Sequence, residues 1–259
     1  GTLPLGFSHL FVVSTNGGAP RQLTAGDYHH SGPIAWSADS KELFFCGNRH
    51  QNAELDPRNT EIYTVSLSGG EVRALTDRQG PDGNVTISPN GRTLAWLGFD
   101  DHLLSYHNRN VYVMDVAGGE PREIETGLDR SIGGLSWDGN SRSLFISYED
   151  RGLIRLARLG MDGNVSVVAS DLGGLSLGRP YAAAGFSTGG SGIYAYTSGN
   201  PGQPAELTIG RGNRSRQVTD LNGNILGQLD LAEVKEYRVD SSHDGLEIQY
   251  WVAYPPGFD

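Results

Sequence analysis

The stretch Trp36-Ser37-Ala38-Asp39-Ser40-Lys41-Glu42-Leu43 places a polar turn between an apolar residue and an apolar strand, and this arrangement recurs along the chain. Later copies begin at Ile87, Trp137 and Phe186, so that successive copies start 51, 50 and 49 residues apart. Unrelated hairpins would not keep so constant a spacing. The sequence therefore predicts a repeat architecture.

A second half-motif alternates with the first, and consists of a strand, a Gly-Gly turn and a strand that ends in Leu-Thr. Its copies, the last two weaker, lie at residues 10–24, 62–76, 111–124, 156–168 and 207–219. Each unit therefore holds four short strands in about 50 residues, which is typical of a propeller blade. The predicted fold class is all-β, a propeller of four-stranded antiparallel blades. The residues that begin the first half-motif are expected to pack between neighbouring blades.

The repeat assigns residues 1–225 to an incomplete propeller. Residues 9–24 form half a blade, and complete blades are predicted at residues 34–76, 85–125, 135–169 and 183–219. These roughly four and a half blades look like the C-terminal part of a larger ring. Without preceding blades, an apolar face near residues 7–24 would be uncovered. We therefore expect self-association through this face, or a distorted, tightened ring.

Composition argues against several classes of function. The chain has 259 residues, 37 of them glycine, and a net charge of −10. Its 20 lysines and arginines are scattered, which argues against a nucleic-acid partner. No apolar run approaches the roughly 20 residues of a membrane span, so no membrane partner is expected. The single cysteine, Cys46, is expected to be a buried apolar residue. We expect no cofactor, and the compartment stays open between cytoplasm and bacterial periplasm.

Two polar inserts, residues 46–59 and 99–110, interrupt the repeat between the second and third strands of a blade. Such loops gather at one face of a propeller, where function is often placed. The candidates for binding a substrate terminus at the inner mouth are Arg58, Glu61, Asp129, Arg130 and Arg179. The alternative reading, which the residues favour, assigns them to salt bridges between blades and to hydrogen bonds in turns.

The second insert also contains residue types that bind metals, namely Asp100, Asp101, His102 and His107. A metal site needs ligands that converge at fixed geometry. These four residues lie in a single insert with no partner elsewhere in the sequence. We therefore expect a flexible, solvated loop and no metal site.

Residues 226–259 depart from the repeat. After a connector, residues 236–239 and 246–254 read as two strands with a turn at residues 241–245. The second strand is long and apolar on both sides, and the segment Pro255-Pro256-Gly257-Phe258-Asp259 follows it. This hairpin is interpreted as the first piece of a second domain.

The tail Ser241-Ser242-His243-Asp244-Gly245-Leu246-Glu247-Ile248-Gln249-Tyr250-Trp251, with residues 255–259, resembles the junction into the α/β-hydrolase domain of prolyl oligopeptidase family enzymes. It is most similar to the acylaminoacyl-peptidase and dipeptidyl-aminopeptidase branch. Segments of that branch's propeller resemble residues 99–106, 128–130, 178–181 and 217–222. The resemblance covers nearly the whole chain.

The resemblance implies a parent serine peptidase in which a seven-bladed propeller precedes a hydrolase domain with a Ser-Asp-His triad. The propeller would cap the active site, so that only short peptides or unfolded ends enter. The expected partners are therefore the missing α/β-hydrolase domain of the same parent chain and short peptide substrates. The family's serine lies in Gly-x-Ser-x-Gly. The nearest match, Gly189-Gly190-Ser191-Gly192-Ile193, lacks the final glycine and falls in a predicted hairpin turn. No catalytic residue is predicted in this chain.

Three functions are compatible with a propeller. The first is a domain that gates substrate access in a serine exo- or oligopeptidase, itself non-catalytic, and the tail favours it. The second is a stand-alone propeller that acts as a binding or scaffold protein. The third is an enzyme with its active site on the propeller, which would need paired carboxylates or histidine ligands repeated on inner strands. No such repetition is present in the sequence.

Overall fold

The computed structural model describes residues 6–174 and 183–258. The chain divides into two compact units. The first contains the residues up to Tyr148 together with Arg158–Ser166, and the second contains Glu149–Ala157 together with the residues from Val167 onward. Each unit is described by itself below.

The first unit begins with a two-stranded sheet, β1 (Phe11–Val12) and β2 (Arg21–Gln22). Two four-stranded antiparallel sheets follow, and in each the strands are adjacent in chain order. Their strands are β3 (His30–Trp36), β4 (Glu42–Gly47), β5 (Glu61–Ser66) and β6 (Arg73–Ala74), then β7 (Asp82–Ile87), β8 (Thr93–Gly98), β9 (Asn110–Asp115) and β10 (Arg122–Ile124). These antiparallel sheets confirm the predicted all-β fold class.

The strand β4 shows how the sheets are held together. Its apolar run is buried throughout, because successive side chains point to opposite faces and both faces are covered. Leu43 and Phe45 pack in one cluster with Leu10 and Leu23 of the two-stranded sheet. Phe44 and Cys46 pack in a second cluster, which contains these residues of the β7–β10 sheet: Val85, Leu94, Trp96, Tyr112 and Met114. The β3–β6 sheet therefore buries its two faces against its neighbours in sequence, as expected for a blade.

Trp36 does not pack between sheets as expected. Its side chain is 48% exposed, whereas Trp137 at the equivalent repeat position is 5% exposed. Trp36 pairs with Leu43, so it shares the face that contacts the two-stranded sheet. That sheet has only two short strands and leaves the edge strand β3 uncovered on this side. Ala35 contributes to the opposite core in its place.

Two further strands, β11 (Ile132–Trp137) and β12 (Ser143–Asp150), pair in the third repeat. The following strands of the chain are β13 (Leu153–Gly160), β14 (Val165–Leu172), β15 (Phe186–Thr188), β16 (Ile193–Asn200), β17 (Gln203–Arg211) and β18 (Arg214–Gln217). In the second unit β14 pairs with β16 through Leu172 and Ser198. A strand of the third repeat therefore pairs with a strand of the fourth, whereas the first two repeats form separate sheets.

The hairpin turns carry the polar residues of the repeat. Ser37 Oγ accepts hydrogen bonds from the backbone of Lys41 (3.0 Å) and Glu42 (2.9 Å). Ser88 Oγ does the same in the next sheet, where it accepts from Arg92 and Thr93. These bonds close the turns between the first and second strands, which explains why a serine recurs there.

The predicted hairpin after the repeat is present. A short helix, α1 (Gly223–Leu226), precedes β19 (Glu233–Asp240) and β20 (Glu247–Tyr254), which pair along their whole length. Most of the hairpin is exposed, including Val239, Ile248 and Trp251. Gln249 Nε2 donates to the backbone oxygen of Arg151 (3.1 Å). The hairpin thus contacts the turn between β12 and β13 but leaves both of its faces largely uncovered.

Candidate functional site

The two inserts form the loops β4–β5 (residues 48–60) and β8–β9 (residues 99–109), between the second and third strands as expected. They are joined by the connector from β6 to β7. The backbone nitrogen of Gly80 donates to Asn59 Oδ1 (2.9 Å), and that of Asp101 donates to the Gln79 oxygen (2.9 Å). Three segments of the first unit are therefore fixed to one another at this face, which we call the loop face.

Arg58 lies at the centre of this arrangement. Its Nη2 donates to Asp101 Oδ2 at 2.8 Å, and this ion pair connects the inserts of two neighbouring sheets. The Asp101 side chain is 2% exposed, but that of Arg58 is 55% exposed. The arrangement matches the predicted salt bridge between blades. It also leaves much of the guanidinium accessible to an anionic group.

Glu61 is the most deeply buried of the residues singled out in the sequence, with 1% of its surface exposed. Thr76 Oγ1 donates to Glu61 Oε2 at 2.6 Å, and His50 Nε2 lies 3.3 Å from Oε1. Burial raises the pKa of Glu61 to about 7, against the hydrogen bond from Thr76 and together with the nearby charge of Asp82. Glu61 therefore changes its charge near neutral pH.

A buried ion pair between Arg78 and Asp82 lies beside Glu61 and was not predicted from the sequence. Asp82 is fully buried, and Arg78 donates to Asp82 Oδ1 and to Asp100 Oδ1. The Arg78 guanidinium carbon lies 3.9 Å from the centre of the Tyr112 ring, a cation–π contact. Burial raises the pKa of Asp82, and the charge of Arg78 opposes this change. The available signal was the Arg-x-x-x-Asp spacing directly after the Leu75-Thr76 end of the repeat.

Three sequence candidates lie elsewhere. Arg130 and Asp129 are in the connector from β10 to β11, where Arg130 Nη1 donates to the Asp129 backbone oxygen (2.5 Å). Asp129 Oδ1 accepts from Asn108 Nδ2 (3.1 Å), which ties this connector to the β8–β9 loop. Arg179 lies outside the described residues.

The loop at residues 99–109 is solvated over residues 102–106, as the sequence suggested, but its two ends are anchored. Asp101 is buried and accepts from the backbone of Leu103 (2.8 Å) as well as from Arg58. The His107 ring stacks on Phe99, with centroids 4.6 Å apart. Asp101 can be buried because the charge of Arg58 compensates its own charge. Within residues 6–174 and 183–258, no group of three or more His, Cys, Asp or Glu residues is arranged to hold a metal ion.

The Leu-Thr end of the repeat has a defined role in the structure. The hydroxyl oxygens of Thr24, Thr76 and Thr219 accept hydrogen bonds from the backbone of Leu10, Ile62 and Leu207, respectively. Each bond joins the end of a fourth strand to the start of a third strand. The residue before the bonded amide is polar in these copies: His9, Glu61 and Glu206. Glu61 therefore has a counterpart in Glu206, whose carboxylate accepts from Thr219, from the backbone of Leu221 and from Asn222.

Two sequence predictions about single residues are confirmed. Cys46 is buried, and burial raises the pKa of its thiol. Ser191 lies in the short 3-10 turn Gly190–Gly192 between β15 and β16, where the sequence placed a hairpin turn. In the described part of the chain, no helix is long and apolar enough to span a bilayer.

Comparison with known proteins connects the chain to peptidases. Residues 4–101 match the family model of the dipeptidyl peptidase IV (DPP IV) N-terminal region. The chain is 25% identical over 248 residues to dipeptidyl-peptidase 5 of Trichophyton equinum, covering 88% of this chain and 33% of that protein. The chain thus spans about a third of the length of this curated relative.

Solved structures with this fold include a hydrolase and a putative TolB. A puromycin hydrolase S511A mutant complexed with PGG has a TM-score of 0.65 at 17% identity, covering 82% of this chain and 35% of that chain. A putative TolB from Agrobacterium tumefaciens has a TM-score of 0.60 at 17% identity, covering 96% and 84%. These likenesses concern the fold. Together with the sequence matches, they confirm the predicted resemblance.

Proposed function

From the resemblance of this chain to the N-terminal portion of prolyl oligopeptidase family peptidases, we propose that it gates substrate access in a serine peptidase of the dipeptidyl-peptidase or acylaminoacyl-peptidase type. In this proposal the parent enzyme cleaves short peptides, and the residues of this chain supply no catalytic group. The observation that carries it is the sequence similarity to dipeptidyl-peptidase 5, which extends over 88% of the chain.

The loop face supports a gating role. The inserts are anchored to each other by Arg58–Asp101 and to the connector by the backbone bonds around residues 79–80, so that they can act together as a rim. Such a rim excludes large folded substrates by size. The half-exposed Arg58 can then pair with the carboxylate of a short peptide. Among the sequence candidates, Arg58 and Arg130 are exposed enough to contact a ligand directly, whereas Glu61 is buried beside His50.

The hairpin β19–β20 supports the proposal that residues 226–259 lead into an α/β-hydrolase domain of the parent chain. Its two strands expose apolar side chains on both faces: Val234, Val239, Ile248, Tyr250 and Trp251. A two-stranded hairpin is marginally stable alone. A further domain that covers these side chains would stabilise it.

A stand-alone binding or scaffold propeller is the second candidate function. The similarity in fold to a putative TolB, of which 84% is covered, favours it. The sequence match to dipeptidyl-peptidase 5 and the uncovered hairpin favour the first proposal.

Peptidase assays distinguish the two proposals. Chromogenic acyl-amino-acid and dipeptide substrates are offered to this chain and to the full-length parent, with and without a serine-directed phosphonate. The gating proposal expects an inactive chain and a parent that the phosphonate inhibits. A parent without peptidase activity would favour the scaffold function. Activity in the purified chain would show that the propeller carries its own active site.

The gating role itself is tested in the parent enzyme with Arg58→Ala, which removes the ion pair between the two inserts. We expect slow cleavage of long or folded polypeptides to increase, while kcat for a dipeptide substrate stays within about twofold of the parent. Asp27→Asn is the control, since Asp27 is exposed and lies outside the two inserts. An unchanged size limit in Arg58→Ala would argue against gating by this rim.

A further inference from the structure

The β4–β5 insert is held at its beginning as well as near its end. Arg49 follows the last residue of β4, Gly47, by two positions, and its Nη1 donates to His30 Nε2 at 2.8 Å. The same nitrogen donates to the backbone oxygen of Ala25 (3.4 Å), and the guanidinium carbon lies 4.5 Å from the centre of the Tyr28 ring. Arg49 therefore ties the insert to the first strand of its own sheet and to the connector between β2 and β3.

The partners of His30 determine the protonation state of its imidazole, which is buried. A guanidinium group can only donate hydrogen bonds, so His30 Nε2 must carry a lone pair to accept from Arg49. The other ring nitrogen, Nδ1, lies 3.2 Å from the backbone oxygen of Ser8, which can only accept. Both contacts therefore require a neutral His30 with its proton on Nδ1.

The surroundings of His30 disfavour a second proton on the ring. The titratable and charged groups that face it are Arg49 of the insert, His9 and His29 of the segments beside the two-stranded sheet, and Tyr63 of β5. Burial lowers the pKa of His30, the hydrogen bond to Ser8 opposes this effect, and the charges of Arg49, His9 and His29 lower the pKa further. Among the described residues, no carboxylate forms a hydrogen bond with His30.

The next residue of the insert is anchored in a way that tolerates protonation. His50 Nε2 lies 3.3 Å from Glu61 Oε1. Either member of a histidine–carboxyl pair can hold the proton between them, so this hydrogen bond persists when Glu61 takes up a proton near neutral pH. Arg49 has no such alternative, because a guanidinium group stays protonated and never accepts. Of these two adjacent anchors, the one at His30 has to break when a proton is added.

We propose that the hydrogen bond from Arg49 to His30 makes the β4–β5 insert sensitive to pH, so that a proton on His30 Nε2 releases Arg49 and loosens the first part of the insert. The proton comes from solvent. Two N–H groups cannot pair with each other, and the imidazolium and guanidinium charges repel, so Arg49 moves away from the ring. The end of the insert stays held by the ion pair between Arg58 and Asp101.

Linkage gives the direction and the size of this effect. With Arg49 released, His30 regains its ordinary pKa near 6.5, whereas the pKa in the anchored state is lower. The released state is therefore favoured progressively as pH falls below about 6.5. Between pH 7.5 and pH 5.5, its population relative to the anchored state can increase by at most about tenfold.

Amide hydrogen exchange of the 259-residue chain at pH 5.5 and pH 7.5, corrected for the intrinsic effect of pH on exchange, tests the proposal. The amides of Ala53, Leu55 and Asp56 report on the insert, since each donates to a backbone oxygen within it. We expect their protection to be about three- to tenfold lower at pH 5.5. Protection in the strands β8 and β9 should change by less than about twofold.

Three variants identify the group that responds to pH. His30→Gln supplies an amide oxygen that can accept from Arg49 and takes up no proton, so the insert should stay protected at pH 5.5. Arg49→Met keeps a long side chain but removes the donor, so the insert should be equally loose at both pH values. The matched control His50→Gln changes the adjacent anchor and should keep the pH response of the unmodified chain.

Protection of the insert that does not change with pH in the unmodified chain would overturn the proposal, as would a pH response that persists in His30→Gln. If this variant fails to fold, an NMR titration of the unmodified chain decides. We expect a neutral His30 with its proton on Nδ1 and a lowered pKa, and a raised pKa would overturn the proposal. Neither measurement involves peptidase activity, so the outcome does not depend on the proposed gating function.

Discussion

At the scale of single residues, Glu61 and Glu206 show that one repeat position can hold a carboxylate in two different electrostatic states. Both side chains accept a hydrogen bond from the threonine that ends the fourth strand. Glu61 is held by few donors and has Asp82 nearby, so its pKa rises to about 7. Hydrogen bonds lower the pKa of Glu206. The largest effect comes from the Thr219 hydroxyl, and smaller ones come from the Leu221 backbone and from Asn222. The difference arises from the donors that each loop supplies.

The raised pKa of Glu61 predicts a defined pH dependence of stability. The folded state keeps the proton of Glu61 to higher pH than the unfolded state, so this group destabilises the fold as pH rises from about 4.5 to about 7. A shift of this size corresponds to roughly 3 kcal/mol. We expect Glu61→Gln, which removes the charge, to gain stability relative to the unmodified chain as pH rises, with the gain complete near pH 8. Chemical denaturation at pH 5, 6, 7 and 8 measures this difference.

Glu206→Gln is the matched variant of opposite sign. The lowered pKa of Glu206 means that its ionised form stabilises the fold above the unfolded-state pKa, and that this contribution is lost as pH falls. We expect Glu206→Gln to destabilise the chain at pH 7 and to be close to neutral at acid pH. If both variants change stability in the same direction at pH 7, the electrostatic assignment of the two glutamates is wrong.

The sequence indicated several polar residues of the loop face but not their burial or their partners. Arg58 and Glu61 were identified because they lie in or beside an insert, and the salt bridge between blades was the favoured reading of Arg58. Asp82 and Arg78 were missed because nothing in the sequence shows that both are buried beside Glu61. Asp101 was misjudged for the same reason, since its partner Arg58 lies 43 positions away.

At the scale of elements, the hairpin turns of neighbouring sheets are in contact. Gly91 has a φ of +72°, and a methyl group there would lie 2.4 Å from the Ala38 methyl group of the adjacent sheet. The next hairpin is reached by a hydrogen bond from the Asn90 backbone to Ser141 Oγ (3.0 Å). Stacked turns therefore reinforce the stacked sheets of the first unit.

We expect Gly91→Ala to destabilise the first unit by about 2 kcal/mol, since it combines backbone strain with a steric clash. Gly127→Ala is the control, because Gly127 has a similar φ of +65° but no atom within 4 Å of the added methyl group. Denaturant unfolding of both variants separates strain from clash. Equal losses in the two variants would contradict the close packing of the turns.

The ion pair Arg58–Asp101 predicts the local stability of the two inserts. We expect Asp101→Asn to speed amide hydrogen exchange at residues 99–109, with a loss of roughly 1 kcal/mol in local stability, because Arg58 is half exposed. Exchange in the strands β8 and β9 should be nearly unchanged. The control Asp27→Asn, which changes an exposed carboxylate outside the inserts, should leave this loop as it is. Unchanged exchange in Asp101→Asn would show that backbone bonds alone hold the loop.

At this scale the repeat spacing predicted the strands well, because each apolar strand and each turn residue is a local signal. Strands are present at both half-motifs of the first two repeats, and a hairpin follows the repeats at residues 233–254. The pairing of β14 with β16 was not predicted, since pairing between strands of different repeats depends on non-local hydrogen bonds. The exposure of Trp36 has the same origin, because it depends on which neighbouring sheet is present.

At the scale of the whole molecule, apolar surface on the two-stranded sheet predicts self-association. Phe7, Phe11 and Val13 are 44%, 56% and 53% exposed, on the face that the sequence placed without a cover. We expect light scattering to detect dimers of the chain at high concentration. Phe11→Ser/Val13→Ser should shift the chain towards monomer. A clean monomer for the unmodified chain at the same concentration would contradict the prediction.

The position of β4 determines which neighbouring sheet loses its packing when a core residue is truncated. Consecutive side chains of β4 alternate between two separate apolar clusters, so that this one strand contributes to both. In stacked repeats, stability is close to a sum of nearest-neighbour terms. Truncation of Phe44 should therefore weaken packing against the β7–β10 sheet first, whereas truncation of Phe45 should weaken packing against the β1–β2 sheet first. Substitutions at two adjacent residues would thus start unfolding at opposite faces of the same sheet.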